Sequence, residues 1–279
     1  MNGLSAGTAI ASERCPTMKN IGHVAELWRY PVSSLGGEKC DRVHIEARGI
    51  VGDRGFGIYD LSTGHVAAPE KETRWRPALF LQSTLDTNGL PHIHFPDGTT
   101  LSILDDVLSP RLSDHFGFHV GIGRYQHTDL PEVANLPIIS NRYDPSPLHL
   151  VTTHSLTRLA QLASVNEMNH RRFRPSVLID TDGTAFSVYE EQGFLEEAWL
   201  ERTLHIGQIK VGVSEKAKRC GMTFIAQPSL NEQPEILRTL VRQNSRNFGV
   251  YCNIQQPGTL ALRDNVHLDT DVMQRAMSR

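Results

Sequence analysis

Asp41-Arg42-Val43-His44-Ile45-Glu46 alternates polar and apolar side chains from Arg42 on, the two-residue period of a strand with one buried face. The same signal recurs on both sides of it. Upstream, His23 to Tyr30 reads as a strand that stops at Pro31 and the turn-forming Ser33-Ser34-Leu35-Gly36-Gly37. Downstream, Gly52-Asp53-Arg54-Gly55 is a loop before a strand at Phe56 to Asp60, and further strands are expected near Ala78 to Gln82, His92 to Phe95 and Thr99 to Ser102. Asp105 to Phe116 is expected to be helical, with Leu104, Val107, Leu108 and Leu112 on one face. Thr153 can cap a second helix from His154 to about Ala163. Beyond it, Val177 to Ile179, Leu204 to Val213 and Phe248 to Ile254 read as strands, and Phe194 to Glu201 and Glu235 to Arg242 as helical. A Pro257-Gly258 turn then leads into a closing strand over Thr259 to Leu268.

Many short strands with few helices predict an α+β, mainly β protein, a barrel with inserted helices. Pro131, Pro137, Pro145 and Pro147 mark a connection between two halves. The expected organisation is a flexible tail over 1–20, a β region over 21–147 and a second domain over 148–279.

Composition narrows the function classes. With 39% hydrophobic and 21% charged residues the chain is an ordinary globular one. The net charge is -3 and the basic residues are scattered, whereas a nucleic-acid surface needs clustered positive charge. Nucleic acid is therefore not an expected partner. No stretch approaches the roughly 18 to 20 apolar residues that cross a bilayer, and the first twenty residues lack the pattern of a secretory signal. Neither a membrane nor export is expected. Cys15, Cys40, Cys220 and Cys252 lie far apart without a C-x-x-C pair, which favours a reducing, cytoplasmic setting over a disulfide scaffold.

The segment with most chemical content is Lys216-Ala217-Lys218-Arg219-Cys220. It follows a strand at Ile209 to Val213 and a Ser214-Glu215 turn, so the thiol is expected on a loop at a strand end. Three cations within four residues favour the thiolate, the form that binds a soft metal or accepts sulfur as a persulfide. A structural cysteine packed beside a solvated basic face satisfies the same letters. Tyr30-Pro31-Val32-Ser33-Ser34, with Gly52-Asp53-Arg54, could cradle a phosphate through hydroxyls, backbone N–H groups and one guanidinium, or be ordinary loops. Arg174 of Phe173-Arg174-Pro175-Ser176 could bind an anion bidentately or be a surface charge. Thr152-Thr153-His154-Ser155 could meet an anion at a helix N-terminus or simply cap the helix. The pairs His92/His94 and His115/His119 lack the further ligands a zinc site needs. Gly55-Phe56-Gly57 precedes a strand, not the helix of a dinucleotide fingerprint.

In their order, these segments resemble the MOSC family, named for the C-terminal domain of molybdenum-cofactor sulfurases. More closely they resemble its two-part members, which set an N-terminal β-barrel region before the MOSC domain and include the amidoxime-reducing component and its bacterial relatives. The matching stretches are Tyr30 to Ser34, Gly49 to Phe56, Leu148 to Leu159, Phe173 to Ile179, Arg219-Cys220 and Phe248 to Val266. The resemblance implies molybdenum-molybdopterin as cofactor, with Cys220 as the metal ligand and catalytic residue. It places Ser33, Ser34 and Arg54 at the cofactor's phosphate, Thr153, His154, Ser155 and Arg174 beside its pterin, and Lys218 and Arg219 next to the thiol. The activity implied is reduction of small N- or S-oxygenated molecules with electrons from a separate protein. Alternatively, Cys220 would carry a persulfide received from a cysteine desulfurase, or the fold would serve a specialised biosynthetic enzyme. The chain departs from the family at Ser33, where lysine is usual, at Ser176, usually asparagine, and at Ile225 to Pro228 and Arg263-Asp264. One cation fewer at a phosphate costs about 1–3 kcal/mol, the worth of a charge-assisted hydrogen bond.

Overall fold

The computed structural model describes residues 18–126, 136–141, 146–181 and 193–270. Its first half runs β1 (Met18–Arg29), β2 (Glu38–Cys40), β3 (Arg42–Glu46), β4 (Gly49–Ile50), β5 (Phe56–Asp60), β6 (Gln82–Leu85), β7 (Pro91–His94) and β8 (Thr100–Ser102). The helix α1 (Leu108–Phe116), β9 (Val120–Tyr125) and β10 (Ile138–Ile139) complete that half. The second runs β11 (Leu148–Thr152), α2 (Thr153–Ala163), β12 (Val177–Asp180), β13 (Thr203–Ile206) and β14 (Ile209–Lys218). It ends with α3 (Pro234–Asn244), β15 (Asn247–Gln256), β16 (Gly258–Ala261) and β17 (Asn265–Asp269).

Seven strands close into a barrel in the order β12-β11-β15-β14-β13-β17-β1, with β1 returning to β12. β1 can do this because it bends. It pairs with β17 over Met18–His23, with β12 over His23–Leu27 and with β2 over Leu27–Arg29, shifting register between Asn20 and Gly22 and between Val24 and Glu26. Bulges of this kind turn barrel corners. β11 and β12 run parallel, joined through α2, and the remaining barrel pairings are antiparallel.

Alternation along the strands assigns the two faces. Leu148, Leu150, Val177, Ile179, Val250 and Cys252 fill the barrel. Val151 and Leu178 point out beneath α2 and α3, where Leu156, Leu159, Ile236 and Leu240 cover them; Phe248 joins them because the β14–β15 pairing shifts between Asn247 and Val250, which takes it off the face of Val250. A second core, built on Phe56, Ile58, Trp75, Ile93, Leu112 and Ile122, belongs to the first half. The mainly β architecture with inserted helices is thus the observed one.

Local readings needed correction. Ala78 to Gln82 is not a strand: Thr73–Phe80 is a 3₁₀ helix that buries Trp75, Ala78 and Leu79, and the strand starts at Gln82. Leu104 and Val107 precede α1 and are exposed; the buried face is Leu108, Leu112 and Phe116, at the four-residue spacing of a helix. α2 begins one residue early, with Thr152 as the cap: its Oγ1 accepts from Ser155 N at 3.0 Å. Ser214-Glu215 is no turn but an irregularity within β14. The closing strand is two, β16 and β17, because Asp264 accepts from Ala261 N and turns the chain between them. β1 begins at Met18, inside the segment read as tail; residues 1–17 lie outside those described.

Candidate functional site

The site begins where β1 ends. Tyr30 is buried, its N–H donates to Asp53 Oδ1 at 2.6 Å, and its carbonyl accepts from Arg54 N at 2.8 Å. This stitches the Gly52–Arg54 loop to the strand end. The phenol donates to Pro175 O at 3.3 Å. Over the ring lie two guanidinium groups, Arg174 at 4.2 Å and Arg54 at 5.0 Å from its centroid, both in cation–π range. One aromatic ring therefore gathers two cations from segments 120 residues apart. Burial pushes the Tyr30 phenol up to about 12, against the pull of both arginines, so it stays neutral. Arg54 also pairs with Asp53, and Arg174 donates to Leu35 O.

Ser34, Arg54 and Arg174 share an uncommon backbone. Their φ values are 69°, 50° and 53°, in the left-handed region that costs a side-chain-bearing residue roughly 1–2 kcal/mol. Three such residues lining one cavity are held there by their surroundings, and strain of this kind concentrates at functional sites.

The opposite wall comes from the end of β14. Arg219 N donates to Arg246 O at 2.8 Å, and Cys220 starts a single 3₁₀ turn, Gly221–Thr223, whose Thr223 Oγ1 donates to Cys220 O at 3.0 Å. Arg172, buried, clamps the following loop by donating to the carbonyls of Thr223, Ile225 and Asn231. Arg219 donates to Phe173 O at 2.6 Å, while its Nε is buried without a partner. His149, buried at the start of β11, has its ring nitrogens 3.5 Å from Arg174 O, 3.4 Å from Phe248 O and 3.5 Å from Arg219 Nη1. Burial first, and then the Arg219 charge, hold its pKa well below the usual imidazole value, so it is neutral. Gly249 makes room for it: φ is +78°, and a Cβ there would meet His149 Nε2 at 2.5 Å.

Between these walls lies a cavity of about 330 Å³, at the lower end of small-molecule sites. The structure brings seven of the sequence-predicted residues to it: Ser33, Ser34, Arg54, Arg174, Lys218, Arg219 and Cys220. Cys220 is exposed, which sets aside the reading of a thiol packed in the core. His149, Arg172, Met222, Tyr251 and Glu70 line the same space. None was singled out from sequence. For His149 and Arg172 the signal was a polar residue inside an apolar run or beside a matched motif.

The structure takes four residues elsewhere. Thr153 Oγ1 bonds Asp180 and Thr181, and Ser155 Oγ donates to the buried Glu196 carboxylate, as Thr152 does. These hydroxyls, with His154 between them, sit at the start of α2 and do not line the cavity. Lys216 pairs with Glu197, so of the three cations preceding Cys220 only Lys218 and Arg219 reach the cavity. Among the described residues no cluster of three or more His, Cys, Asp or Glu could hold a metal, and no helix is long and apolar enough to cross a membrane.

The MOSC domain profile matches residues 138–267 and the MOSC N-terminal beta barrel domain profile residues 21–107. No curated protein matches. Among solved structures, the chain is similar to the YuaD protein from Bacillus subtilis, with 10% identity over 91% of this chain and 98% of that one, and a TM-score of 0.47. It is similar also to YiiM from Geobacillus stearothermophilus, with 14% identity over 44% and 54%, and a TM-score of 0.32. Likenesses this distant carry nothing about chemistry. Two profiles in the right order, over most of the chain, do establish descent: the protein belongs to the MOSC family, in the two-part form that pairs an N-terminal β-barrel domain with the MOSC domain.

Proposed function

We propose that this protein is a molybdenum-cofactor-binding oxidoreductase that reduces small N- or S-oxygenated molecules, with Cys220 as the metal ligand. The observation that carries the reading is an exposed thiol at a cavity lined by five cationic side chains and one carboxylate. The donor set fits the group. A sulfur ligand suits a soft, oxidised metal; Ser33, Ser34 and Arg54 supply hydroxyls and a guanidinium for a phosphate; and Arg219 Nε is a buried donor without an acceptor. When bound, the cofactor supplies two-electron reduction at an oxygenated nitrogen or sulfur.

The chain's own residues do the rest. Tyr30 orients Arg54 and Arg174, so their charge is positioned before an anion arrives and little reorganisation is needed on binding. Lys218 and Arg219 line the cavity beside Cys220 and would offset the negative charge of a metal-bound sulfur. Neutral His149 adds no further positive charge at Arg219. With serine where the family usually has lysine, a phosphate is left to Ser33, Ser34, Arg54 and the backbone. Electrons would come from a separate redox protein.

Protein purified from a molybdenum-replete host should hold close to one molybdenum per chain, and Cys220→Ala should lose both metal and activity. Metal retained in that variant excludes the ligation. The exposure of Cys220 also favours a second reading, a molybdenum-free sulfur carrier. On that reading, incubation with a cysteine desulfurase and cysteine adds the mass of one sulfur atom at Cys220, and metal is absent from the outset.

A further inference from the structure

Arg174 faces a second cavity, of about 440 Å³, that does not include Cys220. Its walls are aromatic. Trp28 and Tyr30, two residues apart at the end of β1 and hence on one face of the strand, stack with centroids 6.4 Å apart and planes 20° off parallel. Phe95 and Phe80 complete the lining, and Phe80 is 40% exposed, high for so large an apolar side chain. Bare backbone at Gly36 and Gly37 forms another wall; a side chain on Gly37 would meet the Tyr30 ring at 2.5 Å. Trp28 is fixed from behind, its Nε1 donating to Glu26 Oε2 at 2.6 Å and its ring lying against His170 at 5.6 Å.

Two cations, Arg171 and Arg174, line this space, and no carboxylate does among the described residues. Arg171 donates to Asn169 Oδ1 and Pro228 O, both neutral acceptors. Among the described residues no acid forms an ion pair with it. An apolar crevice alone would not gather guanidinium groups, and a simple anion site would not be walled by four aromatic rings.

We propose that this cavity binds a planar aromatic acid, its ring laid against Trp28 and Phe80 and its anionic group against Arg171 and Arg174. Stacking supplies the selectivity for a flat ring, and the guanidinium fork the selectivity for an oxyanion. The site is distinct from the Cys220 cavity and does not depend on the chemistry proposed there.

The chain reports on this site by itself. Of its three tryptophans, Trp75 and Trp199 are fully buried, so Trp28 alone lines accessible space. The probes are 2-naphthoate, its uncharged amide and cyclohexanecarboxylate, titrated into the full chain with and without molybdenum cofactor while the three indole N–H resonances are followed. Naphthoate should move the Trp28 resonance alone, and each of the other probes should bind at least about tenfold more weakly, the equivalent of one charge-assisted hydrogen bond or one stacked ring. Arg171→Gln should weaken naphthoate by about tenfold and Phe80→Ala, at an exposed position, by about fivefold. An unmoved Trp28 resonance, equal binding of the amide, or unchanged affinity in both variants overturns the proposal. So does binding confined to cofactor-free protein, which would make the cavity part of the cofactor's own seat.

Discussion

Two hydroxyl-rich turns in this chain look alike as letters and do opposite things. Ser33-Ser34 follows β1, and Thr152-Thr153-His154-Ser155 opens α2. Ser34 Oγ makes one bond, to Ala67 O at 3.2 Å, and remains at the cavity wall. At α2, a buried carboxylate has already claimed the hydroxyls: Thr152 donates to Glu196 at 2.8 Å and Ser155 donates to the same oxygen. A helix start binds an outside anion only where no internal one occupies it. Glu196, about forty residues further along the chain, is the internal carboxyl, an anion once pH rises past about 7.

Titrating Glu196 is the largest lever on this contrast. Burial raises its pKa from 4.5 to about 7, only partly opposed by the bonds from Ser155 and Thr152, and its Oε1 is buried without a partner. The folded state therefore holds a proton that the unfolded chain releases above about 4.5. Stability contributed by this group is complete below that pH and is lost as pH rises through about 7. The difference is roughly 3 kcal/mol. Urea unfolding at pH 5 and pH 8 should show it, and Glu196→Gln should flatten the slope and be the more stable form at pH 8. An unchanged slope in the variant would falsify the assignment.

Separating stability from binding is the next test. Ser155→Ala removes a bond to that carboxylate and another from Leu195 N at 3.0 Å, so it should cost roughly 2 kcal/mol at pH 8 and leave molybdenum content unaltered. Ser34→Ala should cost under about 1 kcal/mol, yet reduce cofactor retention. If Ser155→Ala were the variant that lost metal, the two turns would have to exchange roles.

What was legible in the sequence followed from range. Strand alternation is local, and Arg42–Glu46 shows it residue by residue, buried at Val43 and Ile45. The site motifs were legible because family order fixes them, and seven of the ten named residues meet at one cavity. The placement of Thr153, His154 and Ser155 was not, because it depends on Glu196, which no spacing rule connects to them. Lys216 failed for another reason. Two residues apart on β14, Lys216 and Lys218 would share one face of a regular strand, so the charge run was read as one cluster; the pairing with β15 shifts between them, and Lys216 pairs with Glu197. His149 escaped notice as one polar letter in Leu148-His149-Leu150-Val151, a run that gives no sign of the carbonyls and arginine around its ring.

The smallest effect asks which part of Tyr30 matters. Its hydroxyl donates one long bond to Pro175 O, whereas its face carries both guanidinium groups. Tyr30→Phe keeps the face and should cost only about 1 kcal/mol of stability, with molybdenum content unchanged. Tyr30→Leu keeps the burial and removes the face, so Arg54 and Arg174 lose the surface that fixes them and metal retention should fall. If Phe and Leu were equally damaging to metal content, the phenol would be the working group, and Tyr30 would act by tethering the segment before β12 instead of by gathering charge.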